Sequence, residues 1–283
     1  MIDFTPAQRA EAVELAKLND IAYQMYPKDP LKPKFPDFPG YVFVAWIQMQ
    51  DFDMHSRELP YCFYGFIVQK KDDLNSFILV VRGTQKTVEL YDDCMAAMST
   101  PFQKGGNVAY GFDRIFQTMR VMAADGTLIS AFGAMDFPTQ VKIAIEKHVS
   151  KLNPQGSAPA KSITVTGHSL GSALATLYVA KIANDQNLCV RLLCTFASPL
   201  VGDAGFADWF NKLGIQSWRI ANKLDVVTTV PPGLKHIEKE YSADADVKNS
   251  IDCQHAIETY LHLIDPANFE LRWLCKKFGP DIT

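Results

Sequence analysis

The chain has 283 residues, 48% of them hydrophobic and 21% charged, with a net charge of -3; the length suits an α/β fold carrying insertions, and the composition supports a folded core rather than disorder. No run of Lys and Arg offers a phosphate track, so nucleic acid is not an expected partner, and no apolar run approaches the roughly 20 residues of a membrane span. The charges of Asp3, Arg9, Glu11, Glu14, Lys17 and Asp20 leave no room for a signal-peptide core, which is compatible with a cytoplasmic protein or with a secreted one whose signal has been removed.

Thr5-Pro6 opens a helical pattern, with proline in the first turn where its missing N–H costs nothing. Ala12, Leu15, Ala16, Ile21 and Ala22 make its apolar side, so one helix is expected to about Tyr26. Pro27, Pro30, Pro33, Pro36 and Pro39 then exclude regular structure up to Gly40. Tyr41–Met49, Cys62–Gln69 and Phe77–Val81 read as strands, the last two separated by the turn residues Lys71–Asn75. Beyond Arg82-Gly83-Thr84 a helix is expected over Gln85–Thr100, then a turn at Gly105-Gly106-Asn107. Gly111–Met122 reads as a helix, Ala123–Pro138 as a mixed connection, Pro138–Leu152 as a helix and Asn153–Pro159 as a loop.

From Ser162 onward strands and helices alternate. Ser162–Thr166, Cys189–Phe196 and Gln216–Ala221 read as strands, and His236–Ser242 is a candidate edge strand. Leu170–Ala183, Phe206–Leu213 and Gln254–Ile264 read as helices. The alternation implies βαβ units and a parallel sheet with antiparallel strands at its front, and a single domain over the whole chain. Cys62, Cys94, Cys189, Cys194, Cys253 and Cys275 contain no CxxC pair, which argues against a zinc ribbon. Cys189 and Cys194 fall on opposite faces of one expected strand and should not bridge each other. Free, mostly buried thiols are the expectation for this set.

The strongest chemical signal is Gly167-His168-Ser169-Leu170-Gly171. Alone the pattern is weak, but an expected strand precedes it and an expected helix follows, the setting in which a serine is held in a sharp turn with its Oγ projecting above the sheet. A serine hydroxyl needs a base, and in this setting acid and histidine follow the serine along the chain. Of His236, His255 and His262, His255 stands at an element end after a loop and is the chosen base. Of the later aspartates, Asp225 stands just past the carboxyl end of a strand, where sites in open α/β sheets form; Asp203, Asp208, Asp244, Asp246 and Asp252 read as caps or solvated charges. The N–H of Leu170 is one expected donor to a developing oxyanion, and the Arg82-Gly83-Thr84 loop is placed to supply a second. A turn with a helix cap at Thr84 is the plainer reading of that loop, and both can hold at once.

Val81-Arg82-Gly83-Thr84, Tyr110-Gly111-Phe112, Thr164–Gly171 and Phe196–Asp203 together resemble four motifs of the class 3 lipases, the family of the filamentous-fungal triacylglycerol lipases. Arg219–Val227 and His255–Leu261 resemble its acid and histidine motifs, and the order and rough spacing match from about residue 40 to 265. The resemblance implies an α/β-hydrolase fold, a central mostly parallel sheet flanked by helices, with a helical lid. It implies Ser169, Asp225 and His255 as a triad that needs no metal and no cofactor, with Thr84 and Leu170 as the oxyanion pair. It also implies a lipid or ester substrate, met at a lipid–water interface. Triacylglycerol hydrolysis is the leading expectation. A short-chain carboxylesterase, a phospholipase A1, a feruloyl-type esterase or a catalytically silent lipid-binding relative are the alternatives.

The chain departs from the family pattern at Ala109, Ser172 and Leu200, where His, Gly and Arg are usual, and it carries an insertion around Val121–Phe137. Two segments are candidate lids. Gln85–Thr100 sets Val88, Tyr91, Met95 and Met98 on one helical face, and Val121–Phe137 brings Leu128, Ile129, Phe132 and Phe137.

Overall fold

The structure, a computed structural model, describes residues 2–50, 60–84, 98–130, 134–152, 161–237, 239–248 and 250–276. Helix α1 (Pro6–Met25) begins where its signals lie. The Thr5 hydroxyl accepts from Gln8 N at 3.3 Å, and the Gln8 side chain accepts from Thr5 N at 3.0 Å. Two N–H groups that the helix itself cannot satisfy are thereby paired reciprocally.

An eight-stranded sheet runs through the described residues in the order β10-β9-β8-β7-β3-β2-β1-β6. Its strands are β1 (Tyr41–Met49), β2 (Cys62–Lys70), β3 (Ser76–Val81), β6 (Arg120–Ala123), β7 (Lys161–His168), β8 (Leu188–Phe196), β9 (Ser217–Asn222) and β10 (Glu240–Ala243). A separate pair holds β4 (Ser99–Pro101) and β5 (Asn107–Ala109). From β3 to β10 the neighbours are parallel, while β1 pairs antiparallel with both β2 and β6. The mostly parallel sheet flanked by helices is the one expected from the alternation of elements.

Strand β3 shows why Phe77–Val81 is apolar at every position. Phe77, Leu79 and Val81 enter one core, and Ile78 and Val80 enter the other. Side chains alternate across a strand, so a strand covered on both faces has no solvent side on which to place a polar residue. The first core is closed by α3 (Phe137–Leu152), α4 (Leu170–Ile182) and α5 (Ala204–Asn211), through Val141, Leu174 and Phe206 among others. The second is closed by α1 and α7 (Ile257–Ile264), through Leu15, Leu18 and Tyr260.

Four expectations are corrected. The helix expected over Gly111–Met122 stops early. It is α2 (Tyr110–Thr118), and Met122 instead pairs with Trp46 at the edge of β1. The free edge of β1 offers backbone partners and a buried place for Val121, and tertiary pairing overrides the helical propensity of that stretch. The same strand ties down the insertion: Ala123 N donates to Thr127 O at 2.8 Å and Ile129 N to Val121 O at 3.0 Å. Its described residues up to Ile129 form a turn at the sheet edge. The last helix is broken at Ala256 (ψ 138°) into α6 (Ile251–His255) and α7. The candidate edge strand begins only at Glu240. Finally, Cys253 and Cys275 form a disulfide rather than free thiols, whereas Cys189 is exposed and Cys194 buried.

Of the helix expected over Gln85–Thr100, residues 85–97 lie outside the described residues, and Ser99–Thr100 belong to β4. The Asn153–Pro159 loop and Cys94 also lie outside them. Among the described residues no helix is long and apolar enough to cross a membrane.

Candidate active site

Strands β3 and β7 run parallel with Val81 opposite Gly167, and β7 and β8 with His168 opposite Phe196. The segments leaving β3, β7, β8 and β9 therefore emerge along one edge, at the strands' carboxyl ends, where open α/β sheets form their sites. Ser169 sits between β7 and α4 with φ 60° and ψ -130°, a conformation that residues with a side chain avoid and that persists only when the surroundings impose it. Ser169 N donates to Phe196 O at 2.9 Å, and Ser172 N to Ser169 O at 2.9 Å. The Ser172 hydroxyl lies 2.7 Å from Gly167 O and 2.8 Å from Phe196 O. Ser172, a departure from the family pattern, thus fastens the turn to the neighbouring strand.

Close backbone approach explains two glycines. A Cβ on Gly171 would stand 2.0 Å from Val81 O, so the first turn of α4 touches the end of β3. A Cβ on Gly83 would stand 2.7 Å from the Ser169 Cβ and 2.6 Å from the Tyr23 hydroxyl. The Arg82-Gly83-Thr84 loop therefore lies against Ser169. Leu170 is the first residue of α4, and its N–H has no acceptor within the helix. The first residue of α4 and the loop after β3 thus flank the serine.

Asp225 follows β9 and is buried. Its Oδ1 accepts from Val227 N at 3.0 Å. Its Oδ2 accepts from His255 Nδ1 at 2.8 Å and from the Tyr260 hydroxyl at 2.7 Å. The carboxylate is held on both oxygens, and the imidazole with it. His255 is 4% exposed, and its Nε2 has no hydrogen-bond partner among the described residues. A buried ring nitrogen without a partner costs free energy unless something else will use it. Burial and the hydroxyl's bond to Asp225 keep Tyr260 protonated, its pKa well above the usual tyrosine range.

The other candidates are placed elsewhere. His236 Nε2 donates to Thr228 O at 2.7 Å, and His262 Nδ1 to Phe269 O at 2.6 Å, so each ring is engaged with a backbone carbonyl. Asp203 caps α5, accepting from Phe206 N at 2.9 Å, and Asp208, Asp244, Asp246 and Asp252 are exposed. Sequence reasoning missed Tyr260, although it lies in the quoted histidine motif, and Tyr23, for which the sequence carries no signal. The Tyr23 hydroxyl lies 2.8 Å from His168 Nδ1, a contact made across 145 positions. Among the described residues no three His, Cys, Asp or Glu side chains converge as a metal ion would require.

The model of the family "Lipase (class 3)" matches residues 78–235, more than half of the chain. Ser169 and Asp225 lie inside the match and His255 beyond it. Phospholipase A1-II 4 of Oryza sativa subsp. japonica is 34% identical over 130 residues, 42% of this chain and 33% of that protein. The chloroplastic galactolipase DONGLE of Arabidopsis thaliana is 31% identical over 146 residues, 41% of this chain and 31% of that protein. The matched stretch thus spans about a third of each relative. Lipase II from Rhizopus niveus superposes with a TM-score of 0.59 at 20% identity, covering 88% of this chain and 83% of that one. That likeness is one of fold, the α/β-hydrolase fold expected from the motifs. With the family match over the strands and turns that build the site, the chain belongs to the class 3 lipase family.

Proposed function

We propose that the protein is a carboxylic ester hydrolase of acyl lipids, with Ser169 as nucleophile, His255 as general base and Asp225 as the acid that orients it. The observation that carries the reading is the buried Asp225–His255 pair, whose Nε2 is left open on the sheet edge where Ser169 stands in a strained turn. His255 takes the Ser169 proton as Oγ attacks the ester carbonyl. The imidazolium, stabilised by Asp225, returns that proton to the departing alcohol. Water then attacks the acyl-enzyme with His255 again as base, and the free acid leaves. The N–H groups of Thr84 and Leu170 receive the oxyanion in both steps, each donor worth about 3 kcal/mol of barrier.

Triacylglycerol at a lipid–water interface is the substrate that the motif resemblance supports. A second reading, hydrolysis of polar acyl lipids, is supported by the plant relatives named as a phospholipase A1 and a galactolipase. Rates on emulsified triglyceride, phosphatidylcholine vesicles, a galactolipid and short soluble esters separate the two. Ser169→Ala is expected to abolish hydrolysis with the circular dichroism spectrum unchanged, and a phosphonate ester should label the wild-type peptide carrying Ser169. Activity above a thousandth of wild type in the folded variant would overturn the assignment.

A further inference from the structure

Both polar atoms of Gly83 are held, and each leads somewhere. Gly83 O accepts from Arg82 Nη1 at 2.7 Å. In a trans peptide the C=O of one residue and the N–H of the next lie in one plane and point in opposite directions. The bond to Gly83 O therefore sets the plane of the Gly83–Thr84 peptide and with it the aim of the Thr84 N–H. A cationic donor on that carbonyl also polarises the peptide and strengthens its N–H as a donor. Arg82 is built for this position. It is 1% exposed, and its Nε and Nη2 bond Phe63 O at 3.0 and 2.8 Å. Its guanidinium lies 4.1 Å from the ring centres of both Tyr26 and Tyr64. Among the described residues no carboxylate pairs with it. Burying a cation on carbonyls and ring faces is costly.

The Gly83 N–H donates to the Tyr23 hydroxyl at 2.8 Å. The next links are Tyr23 Oη to His168 Nδ1, 2.8 Å, and His168 Nε2 to His255 O, 2.8 Å. The two ends fix the polarity, since an N–H only donates and a carbonyl only accepts. Tyr23 donates to Nδ1, and His168 carries its proton on Nε2. Burial and the neighbouring His255 hold the His168 pKa well below the usual histidine range, in keeping with that neutral tautomer. The final acceptor exists because α6 and α7 are separate: Thr259 N bonds Ala256 O at 2.9 Å, which leaves His255 O to His168. One chain of hydrogen bonds thus joins the loop beside Ser169, the residue before Ser169 and the backbone of His255.

We propose that Tyr23 and Arg82 are positioning residues: Arg82 aims the Thr84 N–H at the oxyanion, and Tyr23, through His168, holds that loop in register with His255. The proposal rests on the reading of Ser169 as nucleophile.

Tyr23→Phe removes one hydroxyl and leaves the ring. Its kcat is expected to fall about 10- to 100-fold with KM within about twofold, because a misaimed donor weakens the transition state more than the bound ester. Affinity for an alkyl boronic acid, which forms a tetrahedral adduct on the serine, should fall by the same factor as kcat/KM. Arg82→Lys, which cannot span Phe63 O and Gly83 O together, should behave likewise. If Arg82→Lys does not fold, Tyr23→Phe decides alone. A purely structural role would lower Tm while leaving kcat and boronate affinity unchanged below the transition, and that result would overturn the proposal. Phosphonate labelling of wild-type Ser169 separates the two readings. Without it the nucleophile assignment fails. With it, and with an unimpaired Tyr23→Phe, only the positioning role fails.

Discussion

A methyl group on Gly171 would lie 2.0 Å from Val81 O and 2.6 Å from Arg82 O, both backbone atoms of the segment that leads into the loop beside Ser169. No rotamer relieves a backbone clash, so α4 must move off β3 or the turn must open. Gly171→Ala is expected to destabilise by about 3 kcal/mol or more, at the upper end of overpacking costs, read from urea unfolding; a midpoint equal to wild type would show that the elbow is looser than its contacts imply. This glycine was legible because it belongs to a five-residue pattern with a strand before it and a helix after it. Asp225 and His255 were legible for a related reason: each stands at an element end, where a short side chain can reach across the sheet edge. Tyr23 was not. It sits on the buried side of a helix that any amphipathic pattern would produce, and only the folded chain brings its hydroxyl to His168 and Gly83.

At the scale of elements, β3 and α4 were read to within one residue at each end and β7 to within two, because a strand buried on both faces and an apolar helix carry unambiguous composition. The segments that failed are those whose state is set by a neighbour. Arg120–Ala123 became a strand because β1 has an open edge, and α6 separated from α7 at Ala256, a residue with no tendency to break a helix. The Cys253–Cys275 bond, with a separation of 22 residues, was likewise invisible in the spacing. It anchors α6, the element that ends in His255, to the short 3-10 helix Trp273–Cys275. Replacing both cysteines by serine should cost about 3 kcal/mol, the loop-closure value for a ring of this size, measured as a lower urea midpoint. Wild type treated with reductant should approach the same midpoint. A double variant as stable as the oxidised wild type would show that the tail is held without the bond.

For the whole molecule, the buried histidines set how folding responds to acid. Burial and the nearby Arg219 lower the pKa of His236 to about 4, and burial with His255 nearby lowers that of His168 well below its usual value. Both rings are neutral when folded, while an unfolded chain protonates them near pH 6.5. Between those values the unfolded state binds more protons, so stability is full above about pH 6.5 and falls as the pH drops toward the folded pKa. Each such histidine contributes a slope of at most about 1.4 kcal/mol per pH unit. Asp203 and Glu240, held low by hydrogen bonds and for Glu240 by Arg219, add their loss only further into acid. Asp20, raised by burial, opposes it. Urea unfolding from pH 7 to 4.5 should therefore show steadily declining stability. His236→Gln keeps a donor for Thr228 O and removes the titrating group, so its slope should be shallower by up to one proton. Since His236 lies outside the Asp225–His255 pair, this isolates the linkage from the site, and parallel pH profiles for the variant and wild type would mean that His236 titrates alike in both states.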